Sequence, residues 1–223
     1  MIREMRPSAV ARRYLQSPYT PGSLGYRARA KRFRMLVRRF PEFGEMHVLD
    51  VGGDVRDWKS HPSVRPAHVT ILSPGDVMLK EPEPWMTPLK ADACDAGTMP
   101  KGFDLVYSNS VIEHLGGPYR RRQFAENVLQ AAPHCWVQTP YRYFMLEPHL
   151  MFPGFQFLPL AMQARVAKRW PLAVPHNRPE LDPVRYCLEH DLLTKAELRL
   201  LFPQAEILHE RAAGMTKSLI ACQ

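Results

Sequence analysis

The sequence predicts an α/β fold in which a mainly parallel sheet carries helices on its faces. Three observations predict it. Short apolar runs bounded by turn residues alternate with stretches of helical periodicity. The first apolar run ends in a pair of glycines, the form of a strand that feeds a tight turn next to a ligand. And a chain of 223 residues, 45% hydrophobic and 23% charged, is large enough for one sizeable domain with a real core.

Taken in order, the first element is a helix from Gly25 to Phe40, where Tyr26, Ala30, Phe33, Val37 and Phe40 draw one apolar stripe between Arg and Lys faces. Pro41 and Gly44 close it. The run Val48-Leu49-Asp50-Val51 then reads as a buried strand that opens the sheet. A second strand is expected at Val69–Leu72, a third element near Ala91 after a proline-rich stretch, and a fourth strand at Phe103–Tyr107. Arg120–Ala132 places Phe124, Val128, Leu129 and Ala132 on one helical side, and Cys135–Thr139 follows as a strand stopped by Pro140. Alternation of this kind puts ligands beyond the carboxyl ends of the strands.

Residues 140–190 hold eight prolines and large apolar residues, with little periodicity outside Leu160–Trp170. They read as an inserted cap. In its helix Met162, Val166 and Trp170 recur every four residues beside Arg165, Lys168 and Arg169. Core packing explains that stripe, and contact with an anionic membrane is the second reading. Thr194-Lys195-Ala196-Glu197 has the form of a capping box opening a helix through Leu201, and Ile207 and Leu219 mark two closing strands. The organisation is a basic helical segment over 1–44 and a larger domain over 45–223, with the cap at about 141–190.

The formal charge of +8 is unevenly placed: residues 1–40 hold eleven Lys/Arg, among them Arg3, Arg6, Arg12 and Arg13, against the single Glu4. A solvated helix face is the simpler reading, and a surface for phosphates, nucleic acid or an anionic membrane is the other. Cys94, Cys135, Cys187 and Cys222 show no metal-like spacing and read as reduced packing thiols. With no secretory pattern and no apolar run of about eighteen residues, the expected place is the cytoplasm, with peripheral membrane contact at most.

Chemistry concentrates after the first strand. His47-Val48-Leu49-Asp50-Val51-Gly52-Gly53-Asp54 lacks the later glycines of a dinucleotide fingerprint, because Asp54 and Arg56 or Asp57 stand there. Asp54 would repel a phosphate but tolerates a cationic amino-acid tail. Asp50-Val51-Gly52-Gly53, Ala91-Asp92-Ala93, the run from Phe103 to Ser110 and Glu113-His114 resemble, in order and spacing, the motifs of class I S-adenosylmethionine-dependent methyltransferases, over about residues 45–140. Trp136-Val137-Gln138-Thr139-Pro140, Glu147-Pro148-His149 and Gly214-Met215-Thr216-Lys217-Ser218 extend the resemblance toward a bacterial small-molecule group, the methyltransferase type 11-like enzymes.

The resemblance implies a Rossmann-like, seven-stranded, mainly parallel sheet with an antiparallel C-terminal strand, and S-adenosylmethionine as cofactor. It implies that Asp50, Val51, Gly52 and Gly53 line the amino-acid part of the donor. Leu72 and Ser73 would stand at its ribose, Asp92 and Ala93 at its adenine, and Ser108 and Asn109 at the pocket floor. One departure is Ser73, which occupies the place of the usual ribose-binding acid, with Asp76 as a substitute from the loop.

Methyl transfer from a sulfonium is an in-line displacement, so alignment and a base for a poor nucleophile are the main needs. His114 is the first choice as base, because a free imidazole titrates near neutrality. Glu147 and His149 join it as acceptor-site candidates, being an odd carboxylate and imidazole in an apolar cap. Glu113, His114 and His149 are able to gather a divalent ion, but hydrogen-bonded structure is the simpler reading and no residue is assigned to a metal. The expected acceptor is a small molecule, glycan or lipid-linked intermediate. Nucleic acid is disfavoured, because no base-flipping motif accompanies the basic residues. Two alternatives stay open: a degenerate fold that binds RNA or a protein partner without catalysis, and an NAD(P)-dependent oxidoreductase.

Overall fold

The computed structural model of the chain describes residues 17–75 and 80–223. Arg3, Arg6, Arg12, Arg13 and Asp76 therefore lie outside the described residues. In chain order the elements are α1 (Leu24–Arg39), β1 (His47–Val51), α2 (Val55–Lys59), β2 (His68–Ser73), β3 (Met86–Lys90) and β4 (Leu105–Asn109). There follow α3 (Pro118–Ala131), β5 (His134–Pro140), β6 (Leu146–Glu147), β7 (Phe152–Pro153), α4 (Leu160–Arg169), α5 (Val174–Asn177) and α6 (Pro183–Leu188). The chain closes with α7 (Lys195–Leu201), β8 (Glu206–Ala212) and β9 (Met215–Cys222).

Seven strands form one sheet in the order β3-β2-β1-β4-β5-β9-β8. Strands β1 to β5 run parallel, and β9 alone is reversed, pairing antiparallel with both β5 and β8. The expected fold class is the observed one. Alternating side chains divide two cores. Leu49, Val51, Val106 and Val137 pack with Phe124 and Val128 of α3 and Leu198 of α7 on one face. Val48, Leu105, Tyr107 and Trp136 pack with Phe33 and Leu36 of α1 and Trp58 of α2 on the other.

Helix α1 is thus seated on the sheet, and part of its basic character is spent inside the protein. Arg29 pairs with Asp57, and Arg32 with Glu210 at 3.1 Å, all four side chains being largely buried. The remaining arginines face outward. Strand β3 begins well before Ala91 because Pro88, which has no N–H to donate, is tolerated on an edge strand. Strand β4 starts at Leu105, two residues later than expected, because the amides of Gly102 and Phe103 turn back to the Ala131 carbonyl.

The cap leaves the sheet after β5 and returns to the same place: the Arg142 amide donates to the Leu193 carbonyl at 3.0 Å. Inside it, Leu150, Phe155, Ala167, Ala173, Tyr186 and Cys187 form a small core of their own, with Val166 and Trp170 packed against it. Met162 departs from the expected stripe and is 48% exposed. The capping box is present, Thr194 Oγ1 accepting from the Glu197 amide and Glu197 Oε2 from the Thr194 amide. All four cysteines are free and buried, and burial raises each thiol, Cys94 to about 11 and Cys135 to about 12. They are packing residues. No described helix is long and apolar enough to cross a membrane.

Candidate functional site

Parallel pairing of β3, β2, β1 and β4 brings Asp92, Ser73, Gly52 and Asn109 to the same edge, the carboxyl end of the sheet. The turn after β1 is the tightest part. Gly52 has φ of +74°, its amide donates to the Leu72 carbonyl at 2.7 Å, and a Cβ there would lie 2.5 Å from Val111 Cγ2. A Cβ on Gly53 would lie 1.9 Å from Asp50 Oδ2. The close approaches that demand glycine are made by the chain's own Val111 and Asp50.

Asp50 projects from β1 to the α1 and α2 face, where its carboxylate is 2% exposed and accepts from Trp58 Nε1 at 2.7 Å. Burial, helped by the charge of Asp57, pushes its pKa up to about 8. Val51 and Leu72 are buried in the opposite core. Asp54, in the place of a motif glycine, caps α2. Burial raises its pKa, but the bonds from Arg56 outweigh that and hold it below the usual carboxylate range. Tyr19 closes over this pair, donating to Asp54 Oδ2 at 3.2 Å while Arg56 stacks on its ring at 4.6 Å.

Further along the edge, Ser73 is fully buried, and its Oγ accepts from the Gly75 amide at 3.4 Å. Asp92 is half-open and engaged: Arg120 donates to both its oxygens at 3.0 and 2.8 Å, and the Cys94 amide at 2.9 Å. The Arg120 bond, the largest effect, holds its carboxyl low. These groups, with Gln123 and Asn127, line a cavity of about 460 Å³. Ala93 is buried, its carbonyl accepting from Asn127 Nδ2 at 2.9 Å. Ser108 Oγ donates to the Val51 carbonyl at 3.0 Å and so ties β4 to β1. Asn109 Oδ1 is buried with no hydrogen-bond partner.

A second cavity, also about 460 Å³, opens between the cap and the Gly116-Gly117 turn, beside Arg142, Glu147, Phe155, Leu188 and His190. Next to it the three catalytic candidates of the sequence come together, Glu147 alone of them lining it. His114, in a 3-10 turn after β4, lies with its ring centroid 4.9 Å from that of His149. Glu147 Oε1 holds His149 Nδ1 at 2.6 Å, and Glu147 Oε2 accepts from the Leu150 amide at 2.7 Å. Burial works to raise Glu147, but the bond to His149 outweighs it and keeps the carboxyl below its ordinary range.

His114 departs from the near-neutral imidazole on which its role as base rests. Burial first and the neighbouring His149 second pull its pKa well down, although 34% of its side chain stays open. It is neutral at physiological pH and a weak proton acceptor. Glu113, behind it, is 1% exposed; Thr139 Oγ1 donates to its Oε2 at 3.0 Å, while its Oε1 is buried without a hydrogen-bond partner.

His190 is the member that sequence reasoning missed. Its ring lies 4.6 Å from His114 and 4.8 Å from His149, and stacks on Tyr186 at 4.0 Å. Burial pushes it down to about 4. No spacing rule joins a residue at the end of α6 to the other two. Tyr19, Arg120 and Val111 were missed as well, Tyr19 and Arg120 reaching the edge from segments with no motif of their own.

No protein-family model matches the chain, and no curated protein does. Solved structures do match. The N-methyltransferase NodS of Bradyrhizobium japonicum in complex with S-adenosyl-L-homocysteine superposes with a TM-score of 0.55 at 12% identity, over 97% of this chain and 97% of that one. An S-adenosylmethionine-dependent methyltransferase from Mesorhizobium loti gives 0.55 at 16%, over 87% of this chain and 96% of that one. A Rhodobacter sphaeroides structure described as a candidate alcohol dehydrogenase gives 0.54 at 11%, over 86% and 87%. At such identities the likeness is one of fold. With its single reversed strand between β5 and β8, this chain has the Rossmann-like fold of class I S-adenosylmethionine-dependent methyltransferases.

Proposed function

We propose that the protein is an S-adenosylmethionine-dependent methyltransferase whose acceptor, a small molecule, glycan or lipid-linked intermediate, enters the cavity under the cap. The observation that carries this is the juxtaposition of a methyltransferase sheet edge with a capped cavity lined by Glu147 and His190. The finer resemblance to type 11-like enzymes rests on the sequence motifs alone.

The residues along the edge fit the donor. Asn109 Oδ1 is a buried acceptor with no internal partner, and the half-open Asp92 carboxylate faces a cavity. Asn109, Asp92, Ser73 and the main chain at Val51, Gly52 and Gly53 would hold it, with Ala93, Leu72 and Ser108 shaping the wall. When bound, S-adenosylmethionine supplies an electrophilic methyl group on a sulfonium. The fingerprint expected of an NAD(P) site is absent at Asp54 and Arg56, which pair with one another at the head of α2.

The work left to this chain is alignment and proton removal. Glu147 and His190 line the cavity, and His114 and His149 stand against His190. His149, oriented by Glu147, is the group best placed to take a proton from an acceptor hydroxyl or amine in the metal-free protein. Tyr143, Phe157, Leu160, Met162 and Leu188 are exposed on the cap, and so are Lys168 and Arg169. That surface suits peripheral contact with an anionic membrane and delivery of an apolar acceptor.

The test is a transfer assay with methyl-tritiated S-adenosylmethionine against two pools, soluble metabolites and extracted lipids. The reading predicts label in one pool that disappears in Asp92→Ala. Label in neither pool, from protein that also fails to bind S-adenosylhomocysteine, would favour the non-catalytic module.

A further inference from the structure

Three histidines from three separate segments meet beside the cavity under the cap, which His190 lines. His114 comes from the turn after β4, His149 from the connection between β6 and β7, and His190 from the end of α6. Their ring planes cross at 77 to 85°, and one nitrogen of each lies within 4.8 Å of the others. We propose that His114, His149 and His190 form a three-imidazole site for a divalent transition-metal ion of the zinc class.

Each feature of the cluster has a physical counterpart in such a site. Zinc binds imidazole nitrogen at about 2.0–2.1 Å, so three ligands on one ion stand roughly 3.4 Å apart. Drawing these nitrogens together takes side-chain rotations of about 1 Å and no change of fold. Two of the three rings already carry the outer partners that ligating histidines need. His149 Nδ1 is held by Glu147 Oε1 at 2.6 Å, and His190 Nδ1 by the Tyr186 carbonyl at 2.6 Å. Those bonds place a proton on Nδ1 and make Nε2 the nitrogen each ring offers to an ion.

Two carboxyl groups stand behind the rings: Glu147, one hydrogen bond removed from the ligand, and Glu113, whose Oε1 lies 3.8 Å from His114 Nε2, buried and without a hydrogen-bond partner. Three imidazoles select zinc, copper or nickel over magnesium and calcium, which prefer oxygen. A ligated His149 has no lone pair left for a proton. Occupancy would therefore exchange a proton acceptor for a Lewis acid beside the same cavity. The site needs the imidazoles alone and is independent of the donor reading.

The test titrates the full, chelator-treated chain with cobalt(II), followed by visible absorption, and with zinc(II) against a chromogenic chelator. The expected result is one equivalent of cobalt with the intense bands of a low-coordinate site. Zinc affinity should fall at least about 100-fold in His190→Ala and about 10–100-fold in Glu147→Gln. The cap residue His176, outside the cluster, serves as control, and His176→Ala should leave affinity unchanged. If His190→Ala fails to fold, Glu147→Gln still decides. Absence of cobalt bands, or zinc affinity indifferent to both variants, would overturn the proposal. S-adenosylhomocysteine titrated into the same preparations separates the two claims: donor binding without metal removes this site and leaves the methyltransferase reading standing.

Discussion

Trp58 Nε1 donates to Asp50 Oδ2 at 2.7 Å, which places a carboxylate inside the core directly beneath the glycine turn. Burial raises Asp50 to about 8, above the value of an unfolded chain. A group whose folded pKa is raised keeps its proton in the native state while the unfolded chain loses it. Its contribution is complete below about pH 4 and is lost as pH climbs toward about 8. Denaturant unfolding from about pH 5 to about pH 9 should therefore show wild type losing stability relative to Asp50→Asn, by up to about 1.4 kcal/mol for each pH step of one below about 8. A pH-independent difference would mean that Asp50 ionises like a surface residue.

Gly53 and Asp50 occupy one space. Since a Cβ on Gly53 would lie 1.9 Å from Asp50 Oδ2, Gly53→Ala should cost about 2 kcal/mol or more. Asp50→Ala in the same chain should return part of that loss. A double-mutant cycle measures it, and strict additivity would contradict the packing.

The Thr194 and Glu197 pair fixes the start of α7. Thr194→Ala should destabilise by about 1 kcal/mol, whereas Glu197→Gln, which can still accept from the Thr194 amide, should be nearly neutral. Thermal melts of the two variants check the order.

Phe157, Met162, Lys168 and Arg169, all exposed on the cap, predict salt-sensitive sedimentation with anionic vesicles. Each basic residue near an anionic surface contributes about 1 kcal/mol, so Lys168→Glu with Arg169→Glu should lower partitioning about tenfold or more. Equal partitioning into neutral vesicles would assign the apolar cap to another role.

Much of this architecture was legible in local sequence. The helix α1, the run into Gly52 and the capping box each carry their own period or turn chemistry and stand where those signals put them, although the buried face of α1 is turned to Arg29, Arg32, Phe33 and Leu36 from the expected stripe. The period of β1 carried more than was taken from it: Asp50 shares a face with Val48, and that face is the core under α1 and α2. What was not legible depends on the cap folding back. His190 is brought to His114 and His149 by α4 and α6 closing on Leu150 and Phe155, and no sequence period spans that distance. Tyr19 on Asp54 and Arg120 on Asp92 are likewise pairs between segments, decided by tertiary packing.

The central claim is that the sheet edge from Asp92 to Asn109 holds a methyl donor, and calorimetric titration with S-adenosylhomocysteine tests it most directly. The account predicts micromolar binding, weakened about tenfold or more in both Asn109→Ala and Asp92→Ala, and none of NADH. Binding of NADH with silence toward S-adenosylhomocysteine would contradict it.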